Sequence, residues 1–455
     1  MGVFANIRKV SRNRHTLSLA GNGSSAVLGF VCLALAARLL TKEELGSWFM
    51  FITAFTFVDM LRSGIIHTSL IRSAASANKR QFIVVAGSGW MISLIATSIV
   101  TIITTSVYFI FGKYIHNQGM LLFVKWYWLA GFVTLPFNYA AWLMQARQAF
   151  DKVLYIRLLN QLSFMLCILI GLVASYNSIH YLLMSFILSS LLPSFFSIWS
   201  GWSWIKSIRF ADRTKVAELF NFGKFSMGTL MGSNLLRSSD TLIIGFMMTA
   251  KDVAAYSIPL KLVEILEIPL RSFLATAMPA MSLHKDPSQK KELRILFNKY
   301  AGIISIALLP IVLGCIIFAD SLVLILGGAQ YAESANILRI LAVYTAFLPL
   351  DRFSGVTLDI VGKPAMNFVK VLLMVAVNVT GDIMAIHFAG HIWAVAVVSI
   401  LTFLTGLVFG NYILKKYLHH SIKETLMTGI TLCGSIVKPV ILKIKALRLG
   451  TTNSI

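Results

Sequence analysis

Charged residues are scarce in this chain. They make up 13% of its 455 residues, about half of the roughly 25% found in soluble domains. Hydrophobic residues make up 57%. So much apolar surface cannot be buried in one water-soluble core, because single cores stop growing near about 250–300 residues. The remaining solvent for it is a bilayer. Acidic residues are scarcest of all, 18 against 40 basic ones, for a net charge of +22. In a soluble protein that excess would suggest a nucleic-acid partner. Here the basic residues fall in periodic clusters rather than in one patch, as they do in the cytoplasmic loops of membrane proteins. Nucleic acid is therefore set aside as a partner.

Cysteine is also rare. Cys32, Cys167, Cys315 and Cys433 are far apart, with no CxxC pair. The first three lie in apolar runs and read as small buried hydrophobes, which excludes a disulfide frame and a thiolate metal site. There is no GxxxxGK[ST] phosphate loop, which argues against ATP hydrolysis, and no HExxH zinc motif. Long outer loops that could carry catalytic residues are missing too. The expectation is a protein that is no enzyme and needs no metal or cofactor beyond a coupling ion, H+ or Na+.

What the chain does have is long apolar runs. A spanning helix needs about 20 mostly apolar residues. Twelve candidates run over roughly 16–40, 46–71, 82–111, 121–146, 154–175, 180–204, 220–247, 253–280, 296–319, 334–360, 366–388 and 391–414. The first follows a basic stretch, as a signal peptide would, but it is too long for one and reads as an uncleaved helix. With the N-terminus inside, 28 basic residues fall in cytoplasmic segments, Lys363 and Lys370 among them, and only Lys42, Lys113 and Lys251 fall outside. That asymmetry, with an even number of spans, places both termini in the cytoplasm. Residues 425–437 are apolar for only about 13 positions, too short to span, and suggest an interfacial or partly inserted helix.

An internal repeat organises the spans. Thr41-Lys-Glu-Glu-Leu-Gly-Ser-Trp48 is similar to Thr249-Ala-Lys-Asp-Val-Ala-Ala-Tyr256. At the same offset Asp59 meets Glu267, and one residue off that register Arg62 meets Arg271. The expected fold class is an all-α polytopic membrane protein of about 12 transmembrane helices, in two six-helix lobes related by a pseudo-two-fold axis along the membrane normal. The expected segments are a cytoplasmic N-terminus (1–15), an N-lobe (16–204), a cytoplasmic linker (205–219), a C-lobe (220–414) and a basic cytoplasmic tail (415–455) that includes the interfacial helix. The cleft between parallel repeats is then the natural substrate site.

Charges inside spans need a reason, since each costs at least about 2.5–3.5 kcal/mol at the bilayer centre by insertion scales. Arg38, Lys125, Lys224 and Arg339 lie near predicted span ends or an aromatic belt and read as snorkelling groups. The lone His67 reads as a packed residue rather than a proton relay. The second, seventh and eighth spans differ. Asp59 and Arg62, and Arg237 and Asp240, are each three residues apart and share a helix face. Lys261, Glu264, Glu267 and Arg271 make one charged stripe. Such stripes form internal ion pairs, line a hydrated cavity, or both; their recurrence in the two halves favours the cavity. Arginine forks match phosphate oxygens, so Arg62, Arg237, Lys261 and Arg271 are the candidate substrate-binding residues. Asp59, Asp240, Glu264 and Glu267 are the candidate ion carriers, with Asp359 and Asp382 as further ones.

The stretches Leu19–Ser24, Ala36–Gly46 and Asp59–Arg72, and in the second half Asp240–Tyr256, resemble bacterial oligosaccharide flippases. These are the O-antigen and capsule-type polysaccharide transporters of the multidrug/oligosaccharidyl-lipid/polysaccharide exporter superfamily. The resemblance implies two six-helix lobes in a V shape and alternating access coupled to an ion gradient. It implies a polyprenyl-diphosphate-linked saccharide as substrate, membrane lipids and a polysaccharide polymerase machinery as partners, and the bacterial inner membrane as location. Cationic cavity residues are a theme of that family. The rival readings are a cation-coupled multidrug antiporter of the same superfamily and a membrane polysaccharide polymerase or ligase from a lipopolysaccharide or capsule pathway.

Overall fold

A computed structural model describes residues 14–75, 77–284 and 286–448, with side chains from residue 23 onward except at 224–230, 233, 275, 287 and 436–448. The expected N-terminal segment (1–15) and the end of the expected tail thus lie almost wholly outside the described residues. Among the described residues all regular structure is helical. In chain order the helices are α1 (Arg14–Leu39), α2 (Lys42–Gly64), α3 (His67–Ala75), α4 (Lys79–Phe111), α5 (Gln118–Ala146), α6 (Phe150–Val173), α7 (Ile179–Trp199) and α8 (Arg213–Met247). They continue with α9 (Ala250–Ser282), α10 (Lys290–Ile317), α11 (Ala319–Gly327), α12 (Ser334–Thr345), α13 (Leu348–Ile360), α14 (Pro364–Ala389), α15 (Ile392–Leu418) and α16 (Ile422–Arg448).

The helix starts follow from local sequence. Thr41 caps α2 in a reciprocal box: its hydroxyl accepts from the Glu44 N–H (3.3 Å), and the Glu44 carboxylate accepts from the Thr41 N–H (3.3 Å). The repeat partner Thr249 starts α9 in the same manner with Asp252, at 3.3 Å and 3.0 Å. The two equivalent starts touch. Lys251 pairs with Glu43 at 2.9 Å, and a methyl group added at Gly46 would lie 1.6 Å from the Ala250 carbonyl oxygen. The carboxylate of Glu44 also accepts from the N–H of Ile179 at 3.2 Å, where α7 begins.

The twelve expected spans are not all reproduced. Among the described residues, eight helices are long and apolar enough to cross a membrane, counting α2 with α3 as one. Of the other four, the 16–40 and 220–247 runs include residues outside the described side chains, and the remaining two carry charge or proline. On α9 the stripe Lys261, Glu264, Glu267 and Arg271 puts four charges within one helix length, and prolines stand at 259, 269 and 279. The 334–360 run breaks into α12 and α13, the latter with Pro349 in its first turn. Even so, α8 with 35 residues and α9 with 33 each reach about 50 Å at roughly 1.5 Å per residue. The outward faces of α4, α6 and α7 carry Phe109, Val173 and Phe195, each at least 72% exposed. Water would not solvate such faces; lipid does. The chain is a multi-pass membrane protein.

Two compact units emerge, one of residues 1–258 with 323–334, the other of 259–322 with 335–455. In the first, α1 packs on α6, α6 on α7, α5 on α4 and α7, and α8 on α2. Its core holds Trp90, whose indole N–H donates to the Ser203 carbonyl (2.6 Å), and Tyr139, whose hydroxyl donates to the Ala86 carbonyl (2.6 Å). The stretch 205–219, expected as a linker between lobes, is a 3-10 turn (Ile205–Phe210) and the opening of α8. All of α8 belongs to the first unit, and the unit boundary falls inside α9 at Ile258. In the second unit α14 packs on α15, and α10 on α16.

The last contact concerns the expected tail. Residues 422–448 form a 27-residue helix, which runs alongside the first half of α10 in the same direction. Arg294 pairs with Glu424, the Thr425 hydroxyl donates to Asn298 (2.7 Å), and Gly302 and Gly429 bring the two backbones together. His420, at the head of this contact, is 2% exposed. Its ring lies 4.8 Å from the Phe297 ring and 3.5 Å from the Thr425 hydroxyl, with Arg294 and Glu424 as the charges nearby. Burial lowers its pKa below the ordinary histidine value. A base with a depressed folded pKa binds protons more readily when unfolded, so stability falls as pH drops through the unfolded value near 6.5. The thermal midpoint is therefore expected to decline between about pH 7.5 and 5.5, and to decline less in His420→Gln. Equal declines would remove His420 from the account.

Candidate functional site

The candidate residues fall into groups, each with its own geometry. The first is the α2 pair. Asp59 and Arg62 are i,i+3 neighbours and form an ion pair. Arg62 is 2% exposed. Its second terminal nitrogen donates to the Thr97 hydroxyl of α4 (3.1 Å) and to the Gly131 carbonyl of α5 (2.9 Å). One guanidinium thus ties three helices together. Among the described residues its Nε has no hydrogen-bond partner. Asp59 is the less buried member, its side chain 19% exposed. As the molecule stands, the Arg62 charge is committed to protein contacts rather than turned to a ligand.

The two α8 residues differ in exposure. Asp240 is 7% exposed and accepts a hydrogen bond from the Tyr256 hydroxyl. Arg237, one turn earlier, is exposed. The four charges of the α9 stripe lie past the unit boundary and resolve into two pairs. Lys261 donates to both oxygens of Glu264 at 3.0 Å. Arg271 pairs with Glu267 at 2.5 Å. In each pair the cation is the more accessible partner, Lys261 at 39% against 21% and Arg271 at 53% against 14%. The carboxylates hold the cations in place, and the cation side chains stay partly exposed. Guanidinium and ammonium groups of this kind suit a phosphate; the Arg62 guanidinium is taken up by Asp59, Thr97 and Gly131.

Sequence reasoning missed a second buried ion pair. Lys370, counted above among the cytoplasmic loop residues, lies in the second turn of α14 and is 3% exposed. Its ammonium donates to the Asp351 carboxylate of α13 (2.8 Å), to the Asp351 carbonyl (2.9 Å) and to the Ser354 hydroxyl (3.4 Å). Gly355 of α13 and Gly406 and Gly410 of α15 leave room for it. The available signal was Asp351 inside an expected span with no partner at helical spacing. Of the other acids, Asp382 on α14 is fully buried, and Asp359 accepts from the Asn367 amide at 3.1 Å. His67 packs edge-on against Trp142, ring centres 5.6 Å apart. Among the described residues no three His, Cys, Asp or Glu side chains converge as a metal site would require. All four cysteines are free.

Comparisons with known proteins bear on this arrangement. A family profile described as "Polysaccharide biosynthesis protein" matches residues 35–336. The probable low-salt glycan biosynthesis flippase Agl15 of Haloferax volcanii is 20% identical over 230 residues, 50% of this chain and 48% of that protein. The chain spans about half the length of the curated relatives it matches. Among solved structures, an inward-facing multidrug resistance MATE family transporter of the MOP superfamily aligns with 87% of this chain and 96% of its own, at a TM-score of 0.72 and 14% identity. The lipid II flippase MurJ, in an inward closed conformation, aligns with 96% of this chain and 94% of its own, at 0.70 and 12%. At such identities these likenesses establish the fold alone.

Proposed function

The chain belongs to the polysaccharide biosynthesis protein family, and on that premise we propose that it is a flippase, carrying a polyprenyl-diphosphate-linked oligosaccharide from the cytoplasmic to the outer leaflet by alternating access. The observation that carries this reading is the pair of accessible cations on α9, Lys261 and Arg271, each steadied by its own carboxylate on an otherwise apolar helix. A diphosphate offers two anionic groups to such cations, and charge-assisted bonds of this kind are stronger than neutral ones. The relative from Haloferax volcanii is itself described as a probable glycan biosynthesis flippase, which supports the saccharide class.

In this reading Arg237, Lys261 and Arg271 receive the diphosphate, and no covalent step is involved. Arg62, in the first unit, is a further candidate cation. Asp59, Asp240, Glu264 and Glu267 are the candidates for carrying the coupling ion. The location is the inner membrane with both termini cytoplasmic, the lipid tail stays in the bilayer, and a polysaccharide polymerase consumes the product.

The test is a reconstituted flipping assay with a fluorescent undecaprenyl-diphosphate saccharide. A hydrogen bond to a charged group contributes about 1.5–3 kcal/mol, so Arg271→Ala is expected to slow initial flipping roughly tenfold or more. Arg271→Lys should recover part of that loss. Wild-type rates in the Arg237→Ala/Lys261→Ala/Arg271→Ala variant would overturn the site assignment. Transport of a cationic drug with no flipping would overturn the substrate class.

A further inference from the structure

A cavity of about 700 Å³ lies at the end of the first unit where α3 finishes and α4 and α8 begin. Every residue that lines it belongs to that one unit. Its floor is apolar, with Val84, Val85 and Leu219, and its rim carries Arg72, Arg80 and Lys215 against the single acid Glu218. None of these cations takes part in the transport reading above.

Three features of the cavity favour an anion. First, the rim carries a net charge of +2 from three cations and one carboxylate. Second, two of the three cations are held in position. The Arg72 guanidinium lies 4.7 Å from the Phe222 ring centre, and the Lys215 ammonium bonds Glu218 at 2.7 Å. Arg80 is exposed, and among the described residues no carboxylate lies within ion-pairing distance of it. Third, two long helices begin at this cavity: Arg80 and Gln81 stand in the first turn of α4, and Lys215 stands in the first turn of α8. Helix N-termini carry partial positive charge. The last turn of α3 brings partial negative charge to the same place, and Arg72 stands within that turn. The excess positive charge of the rim lines a concave space.

We propose that this cavity is a binding site for a phosphate-bearing group, separate from the α9 cations. The shared chemistry is a phosphate ester held by Arg72, Arg80 and Lys215 over an apolar floor. Two sources can present it: the headgroup of an anionic membrane lipid, or a soluble phosphate compound. The site does not depend on the transported substrate or on which side of the membrane this end faces.

The test uses the full chain in phosphatidylcholine nanodiscs. One arm adds phosphatidylglycerol to the bilayer and counts retained lipid by native mass spectrometry. The other titrates inorganic pyrophosphate calorimetrically. Arg80→Gln/Lys215→Gln is expected to weaken binding about tenfold or more, in line with the loss of charge-assisted bonds. Lys113→Gln, an exposed cation outside this cavity and outside the α9 stripe, should leave it unchanged. Glu218→Gln removes the opposing charge and is expected to tighten binding severalfold, a gain that a misfolded variant cannot produce. Charge-dependent loss in the lipid arm assigns a headgroup, and the same loss in the pyrophosphate arm assigns a soluble phosphate. Absence of binding in both arms, or binding that none of these substitutions moves, overturns the proposal.

Discussion

Asp351→Ala is expected to cost about 3–5 kcal/mol of stability, the usual result of stripping one partner from a buried ion pair. The reason is the seclusion of the ammonium left behind. Lys370 and Asp351 have side chains only 3% and 2% exposed, and their bond is 2.8 Å long. Without the carboxylate, the ammonium keeps only the Asp351 carbonyl and the Ser354 hydroxyl. Neither carries charge, and a buried cation without a counter-ion is costly. The double variant Asp351→Leu/Lys370→Met discriminates. Replacing both members of a buried pair by apolar residues is often neutral or stabilising, so the double variant should melt closer to the wild type than Asp351→Ala does. Melting curves in detergent read both. A single variant as stable as the wild type would mean that water reaches this pair. The three neighbouring glycines at 355, 406 and 410 sharpen the expectation, because they hold the surrounding backbone close and leave little room for water to enter.

Gly223→Ala, like Gly46→Ala, should be among the most damaging one-methyl changes in the first unit. The added carbon would lie 1.6 Å from the carbonyl oxygen of Ile65 and 2.6 Å from its carbon. Ile65 follows the last residue of α2 and sits in the break before α3. Both sides of the contact are backbone, so no side chain can swing away. Either α8 lifts off or the α2–α3 break shifts, and with it the Asp59–Arg62 pair within one turn. Overpacking typically costs about 1–3 kcal/mol, occasionally more; here the upper end or beyond is expected. Gly434→Ala is the matched control. It lies on α16 with nothing within 4 Å, and alanine in a helix gains about 0.5–1 kcal/mol over glycine. The two substitutions should shift the melting temperature in opposite directions. A rise in both would show that α8 does not rest on Ile65 as described.

Contacts between near neighbours in sequence were legible before the structure. Thr41 and Glu44 announce a helix start three residues apart, and their repeat at Thr249 and Asp252 announces another. The pairs Asp59–Arg62, Lys261–Glu264 and Glu267–Arg271 follow from helical spacing alone. What was not legible depends on chain segments meeting across a helix break or across the whole chain. Lys370 lies 19 residues from Asp351, past the end of α13, so nothing in its spacing marked it as buried. The docking of α16 needs Gly302 and Gly429 to coincide, which no local pattern reveals. Among the described residues, eight of the twelve expected spans meet the length and hydropathy of a membrane helix, and two of the others show why apolar runs alone mislead. Apolar runs were extended through Lys261–Arg271 and across Pro349, where composition stays apolar but charge and proline change what the segment does. The cavity beside α4 and α8 was hidden because its cations satisfied the orientation rule and asked for no other explanation.

The carboxylate of Glu44 closes two helix starts, its own at Thr41 and that of α7 at Ile179. Glu44 and Ile179 are 135 residues apart, so during synthesis the first half of the arrangement exists long before the second. A nascent chain halted before Ile179 emerges keeps a carboxylate oxygen waiting for its donor. One side chain thus joins an early helix start to a late one: the Thr41–Glu44 box closes on its own, and the remaining oxygen gains its donor when α7 arrives.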